Sequence, residues 1–130
     1  MLDAPDGQKE SMLQRVVRQL GESDLKGHVT IATSISQADV IVNQLGDHID
    51  VVTEPERRDT FPAIALAASY LKYEKSCADE EVVVVMPCDP FTEAGYFKVI
   101  EQMVHAVDDN VADLVLMGIT QPIHLLNMDM

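Results

Sequence analysis

Apolar residues recur along the chain in two alternating patterns. Four segments carry apolar side chains three or four positions apart, which is the spacing of a helix with one buried face. With their predicted caps, they span residues 11–20, 36–45, 60–71 and 92–107. Four other segments are short apolar runs that are typical of strands. These span residues 28–33, 49–53, 81–86 and 112–119. Helices and strands alternate, which predicts an α/β fold with a doubly wound, mostly parallel sheet.

Capping residues support these boundaries. Ser11 and Gln14 have the spacing of a capping box, in which the side chain of each residue accepts a hydrogen bond from the backbone N–H of the other. Gly46 suits the end of the second helix. Pro62 falls in the first turn of the third, where a missing N–H costs little. The predicted caps of the three later helices are Ser36, Thr60 and Thr92.

The third predicted strand, residues 81–86, is an almost unbroken run of valines. Such a run indicates burial on both faces, as in the middle of a parallel sheet. A doubly wound unit normally opens with a strand, whereas this pattern opens with a helix, and residues 1–10 do not read as a strand. We therefore expect the sheet to be incomplete and to lack its first strand.

Composition limits the classes of function. The 130 residues include 9 Lys and Arg against 22 Asp and Glu, a net charge of −13, and 47% are hydrophobic. The apolar share predicts a buried core, while the acidity counts against nucleic acid and anionic membranes as partners. No apolar run approaches the ~20 residues of a membrane span, and the polar, acidic start does not resemble a signal peptide. Cys77 and Cys88 have no metal-binding or disulfide spacing, so we expect a cytoplasmic protein.

One candidate site follows the second predicted strand, where Glu54 leads through a charged segment to Thr60 and the third helix. Ligands of α/β sheets bind beyond the carboxyl ends of the strands, and helix N-termini attract phosphate. Arg58 could add a forked contact to a phosphate oxygen. The alternative is a solvated loop in which Thr60 only caps a helix.

A second candidate is Asp89, which directly follows the valine run. A carboxylate in this position can hold Mg²⁺ against the phosphates of a nucleotide. The alternative is an Asp that starts a turn before Pro90.

These segments resemble the mannose-1-phosphate guanylyltransferase family. Residues 54–68 (EPERRDTFPAIALAA) are similar to the family segment E-P-x-x-R-[ND]-T-x-P-A-I-A-L-A-A. Residues 82–89 are similar to its strand ending in P-x-D-H, residues 11–15 (SMLQR) to its S-[LM]-L-Q helix, and residues 116–120 (LMGIT) to its G-I-x-P-T strand. The four segments occur in the family's order and cover about residues 8–120.

The resemblance implies a Rossmann-like nucleotidyltransferase fold and a reaction of GTP with mannose 1-phosphate, giving GDP-mannose and pyrophosphate. The sugar phosphate attacks the α-phosphorus in line, and catalysis depends on positioning and charge neutralisation. The metal it implies is Mg²⁺, held by Asp89. The resemblance gives no residue of this chain a catalytic role. The nucleotide-binding residues that it implies are Glu54, Pro55, Arg58, Asp59, Thr60 and Pro62.

The chain also departs from the family. The glycine-rich phosphate loop, the activating Lys, the second metal-binding Asp and the sugar-binding residues have no counterpart here. Pro90 replaces the usual His, and Asp59 replaces the commoner Asn. We therefore expect residues 1–120 to be an internal fragment of a nucleotidyltransferase domain that is inactive alone. The absent first strand would leave neighbouring strand edges unpaired.

Residues 121–130 (QPIHLLNMDM) do not match the family segment P-T-x-P-x-x-x-x-G-Y-G. These residues can be encoded by codons that, in a shifted reading frame, give Thr-His-Pro-Pro-Ser-Glu-His-Gly-Tyr, which is similar to the family segment. We therefore predict a frameshifted, poorly packed tail.

Two alternatives to the enzyme are a receiver-like acidic domain and a non-catalytic assembly subunit. A receiver needs an acidic pair after an early strand and a Lys after a late one. In this chain the segments that follow the first and last predicted strands begin with Thr33 and Thr120 instead, which counts against a receiver.

Overall fold

A computed structural model describes residues 1–118 and confirms the α/β class. Its eight elements alternate less regularly than the sequence pattern predicts. They are β1 (Leu2–Asp3), β2 (Lys9–Glu10), α1 (Met12–Glu22), β3 (Thr30–Ser34), α2 (Ile35–Leu45), β4 (Asp50–Glu54), α3 (Thr60–Tyr73) and α4 (Ala94–Asp108). None of the helices in this part of the chain is long and apolar enough to cross a membrane.

The parallel pair of strands β3 and β4 is the centre of the fold. Thr30 pairs with Asp50 at one end of the ladder and Ser34 with Glu54 at the other. Helix α2 makes the crossover between the strands, and both α2 and α3 contact the pair. Ile31 and Val52 are buried between these layers. This arrangement brings the end of β4 close to the start of α3.

A second group of elements joins the N-terminal hairpin, α1 and α4. The hairpin of β1 and β2 is antiparallel, and its two-residue strands are too short for the sequence pattern to reveal. Helices α1 and α4 contact each other and bury Val16, Phe97 and Ile100. Gln44 at the end of α2 connects this group to the parallel pair. Its carboxamide oxygen accepts from Ser11 Oγ at 2.8 Å, and its backbone oxygen accepts from Gln14 Nε2 at 2.9 Å.

The two later predicted strands do not form within the described residues. Residues 81–86 and 112–118 have no regular structure, and Val83, Val85 and Leu116 are more than half exposed. A strand requires a neighbour for its backbone hydrogen bonds, and the β3–β4 ladder does not extend to either segment. A full doubly wound sheet is therefore not shown. Residues 119–130, with the predicted tail, lie outside the described residues.

Helix starts were predicted correctly only in part. The Ser11 capping box is confirmed, since both of its reciprocal bonds are present. The structure corrects the other three caps. Helix α2 begins at Ile35, so Ser36 lies inside its first turn, and α4 begins at Ala94, after Thr92. Asp59 caps α3, and Thr60 is the first helical residue.

Candidate functional site

The first predicted site lies where β4 ends and α3 begins. Glu54 is the last residue of β4 and is half-buried, while Pro55 and the rest of the connecting segment are exposed. Pro62 is half-buried in the first turn of α3, as the sequence predicted. Strand β4 fixes one end of this segment and helix α3 fixes the other, so its charged residues lie between two regular elements.

Asp59 has the most unusual backbone in this segment. Its φ is 73° and its ψ is −172°, a combination that glycine adopts readily and that is strained for a residue with a side chain. Its carboxylate oxygen Oδ1 accepts from the backbone N–H of Thr60 at 2.9 Å. The positive end of α3 therefore already carries a negative side chain, which competes with a phosphate for the same position.

Arg58 is exposed and forms an ion pair within the same loop. Its Nη2 donates to Glu56 Oε2 at 2.7 Å and its Nε donates to the same oxygen at 3.2 Å. The two side chains are 70% and 69% exposed, and pairs in water contribute little stability. Arg58 can therefore exchange this partner for a ligand at small cost.

The charge balance of residues 54–59 limits what they can bind. The segment contains three carboxylates and two guanidinium groups, which leaves it slightly acidic. Carboxylates accept hydrogen bonds, so the segment suits the hydroxyls of a ribose and the N–H groups of guanine better than it suits phosphate. This balance is compatible with a nucleotide whose base and ribose, more than its phosphates, face the segment.

Phe61 is a feature of this site that the sequence reasoning missed. It lies in the first turn of α3 and is 79% exposed, next to the residues predicted to bind nucleotide. An exposed aromatic ring offers a flat surface on which a base can stack. The sequence did contain a signal, because Phe61 lies off the half-buried face of this helix, which includes Ala63, Leu66 and Ala67.

Asp89 is exposed and lies in a segment without regular structure between the valine run and α4. Two contacts hold the following residues on α1. The guanidinium of Arg15 lies 4.6 Å from the ring centroid of Phe91, and Gln19 Nε2 donates to the backbone oxygen of Thr92 at 3.1 Å. The Asp89 segment is therefore anchored at its C-terminal side.

The donor set near Asp89 fits a metal only in part. Residues 1–118 contain no group of three or more His, Cys, Asp or Glu side chains that could hold a metal ion. Mg²⁺, however, commonly binds through one or two carboxylates while the substrate phosphates and water complete its shell. Asp89 can serve in such a shared site but cannot form a cage from protein groups alone.

The two predicted parts of the site are not joined by direct contacts. Within residues 1–118, the hydrogen bonds of Arg58, Asp59 and Thr60 stay inside their own loop, and none reaches Asp89. A single site that includes both parts therefore remains a prediction.

Two clefts of the described residues lie elsewhere. One of about 430 Å³ is bounded by the N-terminal hairpin and α1, and includes Glu10 and Arg18 in its wall. Another of about 450 Å³ lies between the hairpin, α1 and α4. Neither includes a residue of the predicted nucleotide site. The forked hydrogen bond from Arg18 lowers the pKa of Glu10, as expected of a structural ion pair.

Comparison of the chain with protein-family models, curated proteins and solved structures gives no match. What the described residues show is therefore an α/β fold with an acidic loop at a strand–helix junction. The resemblance to guanylyltransferases depends on the sequence segments themselves and stays a prediction.

Proposed function

We propose that residues 54–62 bind the guanosine part of GTP, as part of a mannose-1-phosphate guanylyltransferase-like enzyme. The observation that carries this proposal is the junction of β4 and α3, where exposed acceptors, Arg58 and the ring of Phe61 occur together. In this proposal the carboxylates accept from guanine and ribose donors, and Arg58 contacts a phosphate oxygen.

Asp89 would hold the Mg²⁺ that accompanies the triphosphate. When bound, the metal neutralises charge on the transferring phosphoryl group. The chain itself supplies the orientation of the base, the ribose and the metal. Electrostatic stabilisation is usually the largest catalytic contribution, and the basic groups that supply it in the family have no counterpart here. We therefore propose that this chain alone binds without turnover.

The test is an NMR titration of the isotopically labelled chain with GTP. Amide signals of residues 54–62 should shift, and Arg58→Ala should weaken the effect by about tenfold, as expected on loss of a charge-assisted hydrogen bond. Arg57→Ala is the matched control, because Arg57 is an exposed neighbour of the same charge. Equal effects of the two substitutions, or no shifts in the segment, would contradict the proposal.

Paramagnetic Mn²⁺ tests whether the two parts form one site. With GTP present, Mn²⁺ should broaden the amide signals of both Thr60 and Asp89, and Asp89→Asn should abolish the broadening at both positions. Broadening near Asp89 alone would separate the metal site from the nucleotide loop.

A further inference from the structure

We propose that residues 82–86 form a docking edge for a β-strand of another polypeptide, and that this strand is apolar in its middle and basic at its ends. The proposal does not depend on nucleotide binding. It follows from three observations on this run, which concern its backbone, its side chains and the charges that flank it.

Among the described residues, the backbone of the run has no hydrogen-bonding partner. Among residues 1–118, positions 82–86 belong to no helix or strand and take part in no backbone–backbone hydrogen bond. A run of β-branched residues has a strong preference for strands, yet a strand is stable only when a neighbour satisfies its N–H and C=O groups. The chemistry of the missing neighbour is therefore that of an extended backbone.

The three central side chains of the run are exposed, whereas Val82 and Met86 are half-buried. Val83, Val84 and Val85 are 53%, 43% and 59% exposed. Successive side chains of a strand point to opposite faces, and in this run both faces are apolar. An adjacent strand with apolar residues in its middle would cover part of both faces while it pairs the backbone.

The flanking charges specify the ends of the partner. Glu80 and Glu81 precede the run and are exposed, and Asp89 follows it. Lys72 pairs with Asp79 at 2.8 Å, and no described Lys or Arg lies within ion-pair distance of the other three carboxylates. A strand laid beside this run meets carboxylates at both ends, so lysine or arginine at its ends is favourable.

The same charges disfavour two other partners. A second copy of this run, in either orientation, would bring carboxylates against carboxylates. Residues 112–118 of the same chain are also irregular and apolar, but they contain Asp113 and follow Asp108 and Asp109. A basic-ended strand of a different polypeptide avoids both conflicts.

The experiment uses a fluorescent nine-residue peptide, Lys-Lys-Val-Thr-Val-Thr-Val-Lys-Lys, and the full chain. Fluorescence anisotropy should show saturable binding. A peptide of the same charge with Pro as its central residue should bind at least about tenfold more weakly, because Pro removes a backbone donor and disfavours pairing. Equal binding of the two peptides would show that charge alone attracts them, and would overturn the proposal.

Substitutions in the chain locate the docking edge. Val83→Lys should weaken binding by about tenfold, whereas Val40→Lys, at an equally exposed valine of α2, should have little effect. The double substitution Glu80→Lys with Glu81→Lys should weaken binding of the basic peptide. It should also allow a peptide with glutamates in place of the lysines to bind. This gain of binding cannot arise from misfolding.

Three further results would overturn the proposal. They are an absence of saturable binding, equal effects of Val83→Lys and Val40→Lys, and a dimer of the chain that sedimentation detects and Val83→Lys dissociates. The last result would assign the edge to a second copy.

Discussion

At the scale of single residues, Glu10 carries the most buried ionic contact of the described residues. It is only 6% exposed, and Arg18 holds both of its carboxylate oxygens, with Nη2 at 2.8 Å from Oε1 and Nε at 3.0 Å from Oε2. Arg15 lies 3.8 Å away on the same side. These contacts fasten the hairpin to α1. The sequence did not reveal them, because the hairpin that places Glu10 beside the helix has no readable pattern.

This ion pair should make stability depend on acid. The hydrogen bond from Arg18 lowers the pKa of Glu10 below its ordinary value of 4.5, so its contribution is fully present above that value and is lost as the pH falls through the folded-state pKa. We expect the urea midpoint to fall as the pH drops from about 5 to about 3, and to fall less steeply in Glu10→Gln.

Glu22→Gln is the control for this prediction. Glu22 also pairs with Arg18, at 3.1 Å, but its side chain is 61% exposed. Its removal should change neither the midpoint at neutral pH nor the acid dependence appreciably. Parallel pH profiles of Glu10→Gln and the unmodified chain would contradict the role of this pair.

Ser11 should contribute measurably to stability through its cap. Its hydroxyl accepts from the backbone N–H of Gln14 at 3.1 Å, and loss of such a cap typically costs about 1 kcal/mol. Ser11→Ala should lower the free energy of unfolding by about this amount. Ser36→Ala is the matched control because Ser36 lies inside α2 and makes no cap, and an equal loss there would refute the assignment.

At the scale of elements, the sequence predicted the helices and strands whose formation depends mainly on local interactions. The four helices formed near their predicted positions, and β3 and β4 formed where short apolar runs indicated strands. The valines of residues 81–86 read equally well as a strand, but a strand depends on a partner that its own sequence does not supply. The same limit applies to the site, since the sequence placed the loop of residues 54–59 but not its ion pairing.

Helix α3 shows how one residue sets the start of an element. Thr60 and Asp59 are both good caps, and the left-handed φ of Asp59 decides between them. Asp59→Asn should be nearly neutral, because Asn keeps an acceptor and carries the same backbone strain as Asp. Asp59→Gly loses the cap but relieves the backbone strain that a Cβ causes here, whereas Asp59→Ala loses the cap, at a cost of about 1 kcal/mol, and keeps that strain.

The measurement is the free energy of unfolding of the three variants. The Ala variant should be the least stable of the three, because it alone loses the cap and keeps the strain. An Ala variant at least as stable as the Gly variant would show that the left-handed backbone of Asp59 does not constrain the start of α3.

At the scale of the whole molecule, the net charge of −13 opposes the compact state. Seven ion pairs occur among the described residues, and several are exposed, so they offset little of the repulsion. Salt screens repulsion between exposed charges over a distance of about 8 Å at physiological ionic strength.

Stability should therefore rise with added salt. We expect the urea midpoint to increase between low ionic strength and about 0.15 M NaCl, and to change less beyond that. A midpoint that falls with salt would show that attractive ion pairs such as Glu10 with Arg18 outweigh the general repulsion.

The hydrogen bonds of Gln44 have a consequence for how the molecule opens. Because the end of α2 holds the first turn of α1, which lies 30 positions earlier in the chain, the two helix ends should fray together. Hydrogen exchange of the backbone amides can detect this, since Gln44→Ala removes the carboxamide oxygen that accepts from Ser11 and should accelerate exchange at Gln14 and Arg15, far from the substitution in sequence. The two groups of elements would then behave as one cooperative unit, with this contact as the point where local opening spreads from one to the other.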